Sequence, residues 1–398
     1  MLLVLSVAVG QASPADGKLD ALRTTMTSMR GTQMQNIQKG APRGATPLLT
    51  TGKHELRDWI ESRLPELGER DNPAAFENQL NSELGAAALM FDAAHATAPD
   101  PWSMEYLGYL NPVRVQRRSV FIVVVTSVGI QCGEDESAYV YGWSGDGWQR
   151  VFQNEQNDYS DEGYKPQFLS DVVISPWNLS NNYVALTLGR QTSCASIWHD
   201  IYFRVYRLGG DPSARPLISG EEYANVGSDP PIRGSATPDD VLIQYNGHSI
   251  DGGIIVRQHV EHYRIDGPEP KRIQPLALRP RDFVDEWLTH EWKEAAFWSE
   301  SADRRGMLAL HQKLHKDNVF GEFIYPTMHC PATPDLWQVG VDFSDPPTPI
   351  GEPPKGIYFT VRWRPPYEFS MVRVSDAPTA ACNQEDRDAD ERPQTLFR

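Results

Sequence analysis

Apolar positions recur every three to four residues at Leu56, Trp59, Ile60, Leu64 and Leu67, the spacing of one buried helix face. Asn72-Pro73 then supplies a capping side chain and a first-turn proline for a second helix carrying Phe76, Leu80, Leu84 and Leu89. The pair predicts an N-terminal helical hairpin over 53–97. From about residue 105 the texture changes to runs of Val, Ile, Tyr and Trp between turn residues. Val120-Phe-Ile-Val-Val-Val125 reads as a buried strand. Stretches 138–143 and 148–152 flank Ser144-Gly-Asp-Gly147, whose residues accept positive φ in a hairpin turn. Further strands are expected at 171–174, 183–188, 201–208, 240–245, 254–260 and 262–265. Many short strands without intervening helices predict an antiparallel, β-sandwich-like all-β domain over 105–277. A propeller fragment is the alternative, but no blade-length period is visible.

Helical spacing returns at Pro280, where Val284, Trp287, Leu288, Trp292, Ala295 and Trp298 share one broad face and Asp282 can cap its start. Ser301 can cap a second helix with Met307, Leu308, Leu310 and Leu314, and strands follow near 319–325, 336–343, 357–363 and 369–374. Over 278–382 this predicts an α+β domain of two helices packed on a curved antiparallel sheet. The order of elements is similar to the NTF2-like cone-shaped folds, by analogy of architecture alone. The whole chain is therefore expected to be multi-domain, mainly β with α+β. Residues 383–398 hold five acidic side chains and almost nothing apolar, and are expected to be a disordered tail.

The N-terminal run Met1-Leu-Leu-Val-Leu-Ser-Val-Ala-Val9 is too short to cross about 30 Å of hydrocarbon. With the small residues Gly10-Gln11-Ala12 after it, 1–12 reads as a signal peptide. A basic head is missing, so either the start lies upstream of Met1 or the run is an ordinary buried strand. Residues 13–52 carry Lys18, Arg23, Arg30, Lys39 and Arg43 against Asp16 and Asp20, and are read as a flexible segment.

At 398 residues the chain exceeds what one core usually supports, and its net charge of −16 excludes a nucleic-acid scaffold. No later segment is apolar for long enough to predict a transmembrane helix. Cys132, Cys194, Cys330 and Cys382 are widely spaced with no close pair, unlike zinc ligands. Of three pairings, Cys132 with Cys194 and Cys330 with Cys382 is expected, one bond per domain of an exported protein. Free thiols are the alternative if the leader is not a signal.

Several constellations are candidates for chemistry. Glu291 falls on the Trp-bearing helix face, where apolar surroundings would keep a carboxyl protonated, and His290 flanks it, so both are catalytic candidates. His311 and His315 stand at i and i+4, able to chelate a metal from one helix face, although Gln312 replaces the glutamate of a zincin. Trp143, Trp148 and Trp363 are candidates for an aromatic binding surface. Gly247-His-Ser-Ile-Asp251 nearly matches a nucleophile turn but lacks its second glycine, and the acidic loop at 158–162 lacks the bidentate Glu of a calcium loop. His259 and His262, three apart on a strand, project to opposite faces. The expected function is that of a secreted or periplasmic, non-catalytic ligand-binding or structural protein, without cofactor, with a glycan or protein as partner. The alternative is an extracytoplasmic glycan or peptide hydrolase centred on Glu291, which for glycans requires a second carboxyl about 5 to 10 Å away.

Overall fold

The computed structural model describes residues 14–31, 45–91, 107–130, 133–157, 167–176, 183–191, 197–209, 215–227, 231–250, 256–267, 269–275, 277–317, 322–323, 326–343, 356–364 and 368–387. The expected signal peptide, the acidic loop at 158–162 and the Cys132–Cys194 pair lie outside the described residues. The chain divides into two units, Met1–Ser196 with Arg204–Pro216, and Ile197–Phe203 with Leu217–Arg398. Mainly β with α+β is the class of the whole.

In the first unit, α1 (Pro14–Arg30), α2 (Ala45–Arg63) and α3 (Pro73–Ala86) precede β1 (Arg114–Arg118), β2 (Phe121–Ile130), β3 (Gly133–Trp143), β4 (Trp148–Asn154), β5 (Gln167–Ile174) and β6 (Val184–Gln191). Helix α1 corrects the expectation of a flexible 13–52, and α2 begins well before residue 53. Leu22, Met26 and Met29 form a buried stripe continuous with Leu56, Trp59 and Ile60 of α2 and Leu80 of α3. The basic residues stay at its rim, where Lys18 donates to the Asp58 carbonyl at 2.9 Å and Arg23 to the Ala87 carbonyl at 3.1 Å. Gly52 lets α1 and α2 approach, since a Cβ there would lie 1.8 Å from the Met26 methyl carbon. The Asn72 side chain accepts the Ala74 N–H at 3.0 Å and caps α3. Asn72→Ala should therefore lower the stability of this unit by about 1 kcal/mol, read as a shift in its urea midpoint.

Strands β1 to β4 pair in sequence order, all antiparallel. The hairpin between β3 and β4 turns through Gly145 at φ +90°. One sheet face, with Val115, Ile122, Val124, Tyr139 and Tyr141, joins the helical core. The other packs against the layer that holds β5 and β6, with Phe121 on Tyr183 at 4.7 Å and Phe152 on Tyr206 at 4.6 Å. The expected sandwich thus carries a third, helical layer, which is why β2 is buried on both faces.

The next strand, β7 (Trp198–Arg207), belongs up to Phe203 to the second unit and from Arg204 to the first. In the second unit follow β8 (Ile218–Asn225), β9 (Ile232–Ala236), β10 (Asp240–His248), β11 (Val256–Arg264), β12 (Lys271–Pro275), α4 (Pro280–Thr289), α5 (Trp292–Ala295) and α6 (Arg304–Asp317). After them come β13 (Glu322–Phe323), β14 (Met328–His329), β15 (Leu336–Asp342), β16 (Gly356–Arg364), β17 (Glu368–Ser375) and β18 (Gln384–Glu385). The last strands form an antiparallel sheet in the order β17-β16-β15-β14-β18. Phe283, Val284, Trp287 and Met307 pack on Val339, Phe359, Val361 and Met371, so the C-terminal helices lie on this sheet.

Cys330 and Cys382 form a disulfide that joins the turn after β14 to the segment leading into β18. Strand β18 corrects the expectation that the tail is disordered from 383, because Glu385 pairs with Met328 and the Asp386 N–H donates to the Thr327 carbonyl at 2.9 Å.

Candidate functional site

Strand β1 is an edge strand, and its alternation separates Val115, which enters the helical core, from Arg114, Gln116 and Arg118 on the opposite face. In register, Arg114 lies beside Val125 and Gln116 beside Val123. These five residues form one side of a cavity of about 310 Å³, and Leu169 to Val172 of β5 form the other. The ladder between β5 and β6 slips between Leu169 and Asp171, which makes Ser170 the extra residue of a bulge. The Ser170 hydroxyl is shielded from solvent and has no hydrogen-bond partner among the described residues.

Both guanidiniums are half-exposed and each meets one carboxylate. Arg114 Nη2 lies 2.8 Å from Glu136 Oε1, and Arg118 Nη2 lies 3.5 Å from Asp171 Oδ1. A guanidinium carries five N–H donors, so these pairs engage only part of the capacity. Glu136 is 4% exposed, and its second oxygen accepts the Leu169 N–H at 2.5 Å. Burial pushes its carboxyl up to about 7; Arg114 and the Leu169 N–H pull it back, while Glu134 and Asp135 add to the rise.

The adjacent Asp135 accepts the Gln167 N–H at 3.1 Å and pairs with Lys53 of α2 at 2.9 Å, both side chains being fully buried. Lys53 also donates to the Gln156 carbonyl at 2.6 Å. Two neighbouring carboxylates of β3 therefore take alternate amides of β5, and the cavity wall is fixed before any ligand arrives. Cationic and amide donors over a floor of Val123, Val125, Leu169 and Val172 suit a small anion with an apolar body.

A second polar assembly lies in the other unit. Strand β11 places Arg257, His259, Glu261 and Tyr263 on one face, opposite α4 and its end. Arg257 is fully buried, with Nε 2.9 Å from Asp285 and Nη2 3.0 Å from Glu286. Glu286 also meets His259 Nδ1 at 3.3 Å and His290 Nε2 at 2.5 Å. Burial pushes the Glu286 carboxyl up, but Arg257 and the two imidazoles outweigh it and hold it well below the usual carboxylate range. Asp285 accepts the Ser249 hydroxyl at 2.6 Å and the Ile250 N–H at 3.0 Å. Glu261 accepts the hydroxyls of Tyr245, at 3.1 Å, and Tyr263. This network ties β10 and β11 to α4 within the second unit.

The residues singled out in the sequence are dispersed. Helix α4 stops at Thr289, where His290 turns to ψ 156°, so Glu291 leaves the Trp-bearing face and stands exposed ahead of α5. His290 enters the Glu286 network. His311 is buried, with Nε2 2.9 Å from the His290 carbonyl and its ring edge-on to Trp287 at 5.1 Å. His315 lies on the same helix, and among the described residues no group of three or more His, Cys, Asp or Glu side chains is arranged to hold a metal.

In the near-match at 247–251, Ser249 donates to a buried carboxylate, and His259 Nε2 contacts the His248 carbonyl. Trp143 packs edge-on to Trp148 at 5.3 Å, and Trp148 donates to the Leu67 carbonyl at 2.9 Å. Trp363 is stacked on Phe369 in the core of the second unit. Trp148 and Trp363 are buried, and Trp143 is partly buried beside Trp148. Sequence reading missed Arg114, Gln116 and Arg118. The signal was their alternation around Val115, where a basic run on an edge strand also serves to discourage strand addition. No protein-family model matches this chain, and no curated protein matches it in sequence.

Proposed function

We propose that this is a secreted or periplasmic, non-catalytic ligand-binding protein that takes a small organic anion into the cavity of its first unit. The observation that carries the reading is the pair of half-exposed guanidiniums, Arg114 and Arg118, set over an apolar floor beside a hydroxyl that has no partner among the described residues. The volume of about 310 Å³ suits a ligand at the small end of the range for such sites. Export is supported by the Cys330–Cys382 disulfide, since such bonds persist in oxidising compartments. No helix among the described residues is long and apolar enough to cross a membrane. The hydrolase alternative draws no support from Glu291, which is exposed ahead of a four-residue helix.

Calorimetric titration with butyrate tests the reading. Wild-type protein should bind, and Arg114→Ala should bind at least about tenfold more weakly, the effect of one charge-assisted hydrogen bond. Unchanged affinity in Arg114→Ala, or no binding by the wild type, would remove the cavity as the site.

A further inference from the structure

Arg114 has two competing anions within reach. One is Glu136, whose Oε1 it holds at 2.8 Å; the other is whatever anion enters the cavity that Arg114 lines. On the reading that this cavity binds a small organic anion, we propose that the Arg114–Glu136 pair is a proton-operated latch. A short aliphatic monocarboxylate then binds together with one proton. The proton comes from solvent and settles on Glu136 Oε1, the oxygen that Arg114 leaves, while Oε2 keeps the Leu169 N–H.

The surroundings of Glu136 make this exchange feasible. From β1 it faces Arg114 alone among charged groups; on its own strand, Glu134 and Asp135 are like charges. Glu134 accepts the Ser127 hydroxyl at 2.7 Å, and Asp135 is already neutralised by Lys53 from α2. From β5 it receives only neutral contacts, the Leu169 N–H and, at its backbone carbonyl, the Gln167 carboxamide at 2.9 Å. Asp171 and Arg118 form a separate pair across the cavity.

Ionised Glu136 both occupies Arg114 and repels an incoming carboxylate, and protonation ends both effects. Because Glu136 sits near 7 in the unliganded protein, the exchange falls in an accessible range of pH. By reciprocity, a bound anion raises the Glu136 carboxyl further, so binding must draw protons from solution. Arg114 is 47% exposed and can swing toward the ligand, whereas Glu136 at 4% cannot follow it. A guanidinium released over valine and leucine side chains favours a carboxylate with an apolar tail over a fully hydrated inorganic anion.

The test is butyrate binding to the full chain by calorimetry at about pH 5.5, about pH 7 and about pH 8.5, in two buffers of different ionisation enthalpy at each. Butyrate stays ionised across this range. Affinity should rise at least about tenfold toward the lower pH, and the buffer comparison should show net proton uptake near neutrality. Glu136→Gln should bind at about pH 8.5 as tightly as wild type does at about pH 5.5, with no pH dependence between them. The proton-uptake measurement on wild type decides the matter even if this variant folds poorly. Binding that is independent of pH and releases or takes up no proton overturns the latch while leaving the anion site standing. Absence of butyrate binding at either pH removes the site and the latch together. Sulfate binding as tightly as butyrate overturns the assignment to aliphatic carboxylates.

Discussion

Arg257→Met is expected to destabilise the second unit by about 3 to 5 kcal/mol, the usual result of removing one partner from a buried ionic group. The guanidinium is fully buried and is the charge that Asp285 and Glu286 share. Without it, two carboxylates are left inside the protein with Ser249, an amide, two imidazoles and, at 3.8 Å from Glu286, the Arg272 guanidinium as partners. Urea unfolding followed by fluorescence of the buried Trp287 reads the loss directly.

A triple replacement that adds Asp285→Asn and Glu286→Gln should recover a large part of that loss, because neutral groups do not need the lost counter-charge. A midpoint unchanged in Arg257→Met would show that the network contributes nothing to stability. The pH dependence has a definite sign. The folded-state Glu286 value lies below its unfolded value, so its contribution is present above about pH 4.3 and disappears as pH falls through the folded value. Under acid conditions the gap between wild type and Arg257→Met should therefore narrow.

Reduction of the Cys330–Cys382 bond should cost the same unit about 4 kcal/mol, the chain-entropy expectation for cysteines 52 residues apart. The bond closes the loop that brings β18 to β14, where Trp337 Nε1 also donates to Asp386 at 2.9 Å. Both cysteines are buried, at 2% and 7% exposure, so the reductant should act only after local opening. Replacing both with Ser and measuring the urea midpoint under non-reducing conditions gives the value without that kinetic barrier. A variant as stable as wild type would mean that the β14 and β18 pairing holds the loop closed unaided.

Elements whose pattern is local were legible in the sequence. The β3–β4 hairpin followed from its Gly-Asp-Gly turn, and the cap of α3 from Asn72-Pro73. Helix α1 was hidden because its charged residues suggested a tether, although Leu22, Met26 and Met29 already carried helical spacing. Glu291 misled for the opposite reason. Its phase along a continuous helix was right, but the helix ends at Thr289, and periodicity does not report termini that lack a glycine or proline. The site needed more than periodicity. That Arg114 meets Glu136 depends on the register in which β1 and β3 flank β2, a contact between residues 22 apart in sequence. The Arg257 network likewise joins a strand to a helix, and its only local trace was charge at every second position from Arg257 to Glu261.

The division of β7 between the units bears on how the chain is made. Synthesis is vectorial, and the first unit cannot be completed until Pro216 has emerged. By then Ile197–Phe203 is already outside the ribosome, although its partners in the second unit begin only at Leu217. Ile201 and Phe203, both buried in the finished protein, must wait through that interval for β8, the later neighbour of their strand. A nascent chain whose apolar strand still lacks one of its two neighbours is a substrate for holding chaperones, and a gene fragment cut at Ser196 would lack Arg204–Pro216, which complete the first unit.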